Sequence, residues 1–187
     1  MDVSISINGE QVTRDVEPRQ LLVHFIRDTP GLTGTHWGCD TSNCGACVVL
    51  MDGEPIKSCT TLAAMCTGHE IRTVESLEVD GRLDPIQMGF HELHGLHCGF
   101  CTPGRLMTTR ALLDHNPNPT EAEIRTAISG AICRCTGYKN IVSAVRWAAE
   151  HESAMTSGSS AMTSGSSAMT SGSSAMTSGS SAIKQEA

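Results

Sequence analysis

The sequence predicts an α+β fold, a mixed sheet-and-helix unit followed by a purely helical one. Three observations predict it. Val3, Ile5 and Ile7 alternate ahead of Asn8-Gly9, the pattern of a half-buried hairpin with a tight turn. From about residue 84 the apolar period lengthens to that of helices, with Ile124, Ala127, Ile128, Ala131 and Ile132 on one face. Eight of the nine cysteines divide between the same two regions, Cys39, Cys44, Cys47 and Cys59 in the first and Cys98, Cys101, Cys133 and Cys135 in the second.

The first unit spans residues 1–78. Val12 continues the hairpin, and Leu21, Leu22, Phe25 and Ile26 fall on one helical face. Val48 to Met51 reads as a strand, followed by the Asp52-Gly53 turn and a further extended stretch. The second unit spans residues 79–152 and holds four short helices. Asp84-Pro85 is an N-cap with proline in the first turn, and Gly95 is a stop signal. The next helix runs from about Gly104 to His115 and ends at Asn116-Pro117-Asn118-Pro119. Thr120 and Glu123 form a capping box for the third. The fourth begins near Asn140, with Ile141, Val145, Ala148 and Ala149 inward. Residues 153–187 differ in kind. Ala-Met-Thr-Ser-Gly-Ser-Ser recurs from Ala154, with too little apolar content to offset ordering entropy, so the sequence predicts a disordered tail.

Composition narrows the function classes. A net charge of −7 argues against a nucleic-acid partner. No apolar run is long enough for direct membrane insertion, and Met1-Asp2-Val3-Ser4 lacks the basic and apolar regions of a signal peptide, so the expected location is cytoplasmic. In a reducing compartment a cysteine-rich chain binds metal more readily than it forms disulfides. Aromatic residues are only 3%, and a small core of that kind gains from a metal staple.

Cys39, Cys44 and Cys47 stand in a C-x4-C-x2-C array with Cys59 beyond, the spacing of plant-type [2Fe–2S] ferredoxins. Gly38, Gly45 and the polar Asp40-Thr41-Ser42-Asn43 let the loop wrap a cluster and turn N–H groups toward its sulfides. Structural zinc is the alternative, although only Cys44 and Cys47 form the close pair zinc sites favour. Cys98 and Cys101 precede a helix, while Cys133 and Cys135 follow one. Helix packing brings these four sulfurs together as a second cluster site, although Cys98 and Cys101 alone could be a redox dithiol. Cys66 is left over and reads as a buried apolar thiol.

The segments Gly38 to Cys47, Cys98 to Gly104 and Cys133 to Tyr138 together resemble the iron–sulfur subunits of the xanthine oxidase family of molybdenum hydroxylases, over residues 1 to about 151. Asp40-Thr41-Ser42 looks most like the small subunit of aerobic carbon monoxide dehydrogenase. The resemblance implies a β-grasp ferredoxin-like domain followed by a four-helix domain, each with one [2Fe–2S] cluster. It implies electron transfer from molybdopterin on a large subunit to FAD on a medium subunit, in a dimer of heterotrimers oxidising carbon monoxide, or an aldehyde or N-heterocycle. Family members usually carry glutamine just before the Cys98 position, where it contacts the pterin. Here that residue is His97, which can donate or accept through either ring nitrogen. The chain itself has no nucleotide fingerprint and no pattern of a substrate site. A zinc-bound scaffold and a free-standing ferredoxin-like carrier are the competing functions.

Overall fold

The computed structural model describes residues 1–159. Strands β1 (Asp2–Ile7) and β2 (Glu10–Asp15) form the expected hairpin, and its turn takes Asn8 and Gly9 at φ 53° and 85°, a geometry these two residue types tolerate best. Helix α1 (Leu22–Asp28) buries Leu22, Val23, Phe25 and Ile26. Strands β3 (Val48–Met51) and β4 (Glu54–Lys57) form a second hairpin, and β5 (Glu70–Arg72) completes one sheet in the order β2-β1-β5-β3-β4. β5 pairs parallel to β1 and antiparallel to β3. A five-stranded mixed sheet around one helix is the expected ferredoxin-like arrangement.

The helical unit comprises α2 (Pro85–Glu92), α3 (Thr102–His115), α4 (Glu121–Ile128) and α5 (Lys139–Ser159). Both anticipated caps form. Asp84 accepts from the Ile86 N–H at 2.8 Å, and the Thr120 N–H donates to Glu123 Oε2 at 2.7 Å. Ile86, Phe90, Met107, Ile124, Ile141, Val145 and Ala148 pack together, each burial contributing about 1.5–3 kcal/mol for the larger side chains.

Two expectations change. Ile132 does not extend the buried face of α4, which stops at Ile128. The Ser129 hydroxyl ties back to the Thr126 carbonyl, the chain turns, and the Ile132 side chain lies exposed. The last helix is not short: α5 passes residue 152 and covers most of the first heptapeptide, since neither glycine nor proline interrupts residues 139–157. The rest of the expected tail lies outside the described residues.

Strand β3 joins the two units. Val49 faces the sheet-side core with Val3, Ile5, Phe25 and Ile71. Its neighbours Val48 and Leu50 face the helical core. Alternation along one strand thus serves both cores and holds the cysteine loops against each other.

Candidate metal centres

The loop carrying Cys39, Cys44 and Cys47 lies between α1 and β3, and Cys59 sits in a single 3-10 turn (Ser58–Thr60) after β4. Lys57 Nζ clamps the loop by donating to the Ser42 carbonyl at 2.5 Å, and the Ser58 hydroxyl donates to the Cys47 carbonyl at 2.7 Å. The Cys44 N–H points at Cys39 Sγ, 3.3 Å away. That contact, with the Thr41 N–H, holds the Cys39 thiol down at about 6. Burial raises Cys44. Burial and then the adjoining Cys47 thiol push Cys59 up to about 12, with Cys39 and Cys44 adding to the effect.

The second set is built from the turn before α3 and the loop before α5. Cys135 Sγ stands 3.6 Å from Cys98 Sγ, and Cys101 contacts Cys133. At 3.6 Å the sulfurs are free thiols, whereas two thiolates about 2.3 Å from one tetrahedral metal would stand about 3.8 Å apart. Burial acts to raise Cys133, yet the Thr136 hydroxyl, 3.2 Å from its sulfur, and the N–H groups of Cys135 and Thr136 outweigh it and bring it to about 7.

Among the described residues no group of three or more His, Cys, Asp or Glu side chains is gathered for a single metal ion. The thiols stand instead in close pairs: Cys39 with Cys44, Cys47 with Cys59, Cys98 with Cys135, and Cys101 with Cys133. Two pairs per set suit a two-iron cluster, in which each iron takes two thiolates. Burial pushes Cys59 up first and repulsion from the neighbouring thiols adds to it, and cationic iron between the sulfurs would offset both. The donor sets therefore fit the clusters the spacing suggests.

The sets meet directly. The Ile132 N–H, adjacent to Cys133, donates to the Cys44 carbonyl at 2.8 Å. His36 stacks on Phe100 and its Nδ1 lies 2.8 Å from the Phe100 carbonyl. A Cβ on Gly104 would come within 2.1 Å of the Gly45 carbonyl, so the first turn of α3 meets the first loop only because its third residue is glycine. His97 is exposed beside the exposed Cys98, and Cys66 is buried in the sheet-side core away from both sets. The sequence reading missed Thr136, Tyr138 and His36 as partners of the thiol loops. The only signal for the first two was their place in the Cys133 to Tyr138 segment.

Residues 5–72 match a family described as a 2Fe-2S iron-sulfur cluster binding domain, and residues 73–146 one described as a [2Fe-2S] binding domain. The caffeine dehydrogenase subunit gamma of Pseudomonas sp. (strain CBB1) is 52% identical over 77% of this chain and 88% of its own length. The chain belongs to the iron–sulfur small subunits of the molybdenum hydroxylases. The nicotine 6-hydroxylase small subunit of Paenarthrobacter nicotinovorans is 48% identical over 78% of this chain and 87% of its own. A chain of quinoline 2-oxidoreductase from Pseudomonas putida 86 superposes with a TM-score of 0.79 at 44% identity, covering 82% of this chain and 96% of that one. The iron–sulfur subunit thus has two [2Fe–2S] domains and forms part of a multi-subunit oxidoreductase.

Proposed function

We propose that this subunit relays electrons inside a molybdenum hydroxylase acting on an N-heterocyclic substrate, with Cys39, Cys44, Cys47 and Cys59 holding one cluster and Cys98, Cys101, Cys133 and Cys135 the other. The observation that carries this reading is the Ile132 to Cys44 hydrogen bond, which couples a loop of each set through backbone atoms. Each cluster, when bound, takes up and releases one electron. The chain's own residues fix the two sites at one distance: Gly104 and Gly45 permit the contact and Val48 and Leu50 anchor it in the helical core.

The exposed Cys98 and Cys135 place the second set at the surface, where a large molybdopterin subunit would dock beside His97. The first set would then face a medium FAD subunit, in a dimer of heterotrimers. The domain limits 1–78 and 79–152 and a cytoplasmic location belong to the same reading. No helix among the described residues is long and apolar enough to cross a membrane. Relatives named for caffeine, nicotine and quinoline favour an N-heterocycle, whereas Asp40-Thr41-Ser42 alone favours carbon monoxide.

Rapid mixing of the purified complex with caffeine, nicotine, quinoline, an aldehyde or carbon monoxide tests this. Reduction of both clusters by one of the heterocycles is expected. Reduction by carbon monoxide or the aldehyde alone would replace the substrate class while leaving the relay intact. A complex that turns over without either cluster being reduced would end the relay reading.

A further inference from the structure

Arg105 is the one charged side chain among the described residues that is fully buried. It lies on α3 one turn after Cys101, and the electron path does not use it. Its Nη2 donates to the Ala131 carbonyl. Its guanidinium carbon lies 4.9 Å from the centre of the Tyr138 ring, and Tyr138 Oη accepts the Cys133 N–H at 2.9 Å. Tyr138 holds φ at 71° to reach this position, an uncommon conformation for a residue with a side chain. The guanidinium is thus enclosed by the segments that carry Cys101 and Cys133.

Arg105 Nε and Nη1 are buried without an oxygen or nitrogen partner, the guanidinium lies against the Cys101 thiol, and no carboxylate pairs with the group among the described residues. Arginine keeps its proton in proteins, and a buried charge without a counter-charge is strongly unfavourable. The position calls for an anion, and the described residues offer no carboxylate there. A [2Fe–2S] cluster with four thiolate ligands is such an anion, and reduction adds one further negative charge. The neighbouring cation therefore stabilises the reduced form more than the oxidised one. Among the described residues the cation beside the first set is Lys57, which donates to the Ser42 carbonyl and is only half-buried, so solvent screens its charge more than that of Arg105.

We propose that Arg105 is the buried counter-cation of the second cluster and raises its reduction potential relative to the first. This rests on Cys98, Cys101, Cys133 and Cys135 being the ligands of that cluster. The consequence is that an electron entering the chain is drawn to the second site.

The test is a redox titration of the intact complex, followed by electron paramagnetic resonance of each cluster, for wild type, Arg105→Gln, Arg105→Met and Arg105→Lys. In the Gln and Met variants the reduction equilibrium constant of the second cluster is expected to fall at least tenfold, about 59 mV for a one-electron couple. The first cluster should be unmoved and Lys should retain most of the wild-type potential. Should Gln and Met lose the second cluster while Lys keeps it, the charge is required to hold the anion, which also supports the proposal. A fully loaded Gln or Met variant with a second-cluster potential unchanged overturns it. So does loss of that cluster in all three variants with the first signal intact, since shape and not charge would then be at work. The ligand assignment fails separately, if Cys101→Ser leaves the second signal in place.

Discussion

The Ile132 N–H donates to the Cys44 carbonyl at 2.8 Å, so a residue proposed to bind one cluster is hydrogen-bonded to the residue preceding Cys133, proposed to bind the other. Neither side chain is involved. The contact depends on backbones approaching closely, and Gly45 and Gly104 make the approach possible.

Gly45→Ala should therefore harm both stability and electron passage. Gly45 holds φ at 72°, and a Cβ there would lie 2.3 Å from the Gly130 carbonyl oxygen and 2.7 Å from Ala131 Cα. Left-handed strain and overpacking together should cost about 2–5 kcal/mol. Thermal unfolding reads the first effect. Stopped-flow reduction reads the second: the second cluster should reduce as in wild type and the first more slowly. Equal rates for the first cluster would mean that electrons cross by another route.

The cysteines predict a pattern of losses. Cys44→Ser should remove one paramagnetic signal of the reduced protein and Cys133→Ser the other, each with loss of stability in its own unit, because metal binding and folding are coupled. Cys66→Ser should keep both. Cys66 is fully buried beside Val3, Phe25 and Ile71, with its sulfur 3.6 Å from the Leu62 carbonyl. A hydroxyl there should cost about 1–3 kcal/mol without touching iron content. Loss of a cluster in Cys66→Ser would contradict the ligand sets.

What the sequence made legible was whatever depends on local geometry. Asn8-Gly9 announced its turn because few residue types accept its dihedrals, and Thr120 with Glu123 announced a helix start because the cap closes within one turn. The cysteine spacing was legible because a cluster fixes its ligands along the chain. Contacts between distant segments were not. β5 is three residues long with one apolar position, and only pairing with β1 and β3 makes it a strand. Ile132 fits a helical period but is held by the other unit's loop. Nothing local to Gly104-Arg105-Leu106 signals that α3, Ala131 and Tyr138 close around the Arg105 side chain.

His97 is exposed beside Cys98, where a partner's cofactor could reach it. On the proposal that it takes the place of the family's glutamine at the pterin edge, His97→Gln should preserve turnover. His97→Ala should leave a pterin group without its partner, at about 1–3 kcal/mol. Molybdenum content of the complex and the substrate-driven reduction rate of the second cluster are the measurements, with the first cluster's signal unchanged. If the alanine variant matches wild type in both, His97 is a spacer.

His115 offers a pH-dependent joint between the units. Its Nδ1 lies 2.8 Å from the Ala111 carbonyl and its Nε2 3.1 Å from Glu54 Oε1, which β4 carries. Both partners are acceptors, so both contacts are hydrogen bonds only when the imidazole is protonated. The Ala111 carbonyl, and then the Glu54 charge, raise the His115 pKa above its ordinary value. A raised folded-state pKa contributes stability that is fully present below the unfolded value of about 6.5 and lost as pH rises through the folded one. The pair is solvent-exposed, so the effect is small. His115→Gln should flatten the change in denaturation midpoint between about pH 6 and pH 8, while the wild type loses stability across that range. The Glu54→Gln variant should flatten it in part, since the Ala111 contact remains. An unaltered pH profile in His115→Gln would show that protonation of His115 contributes nothing to the joint between α3 and β4.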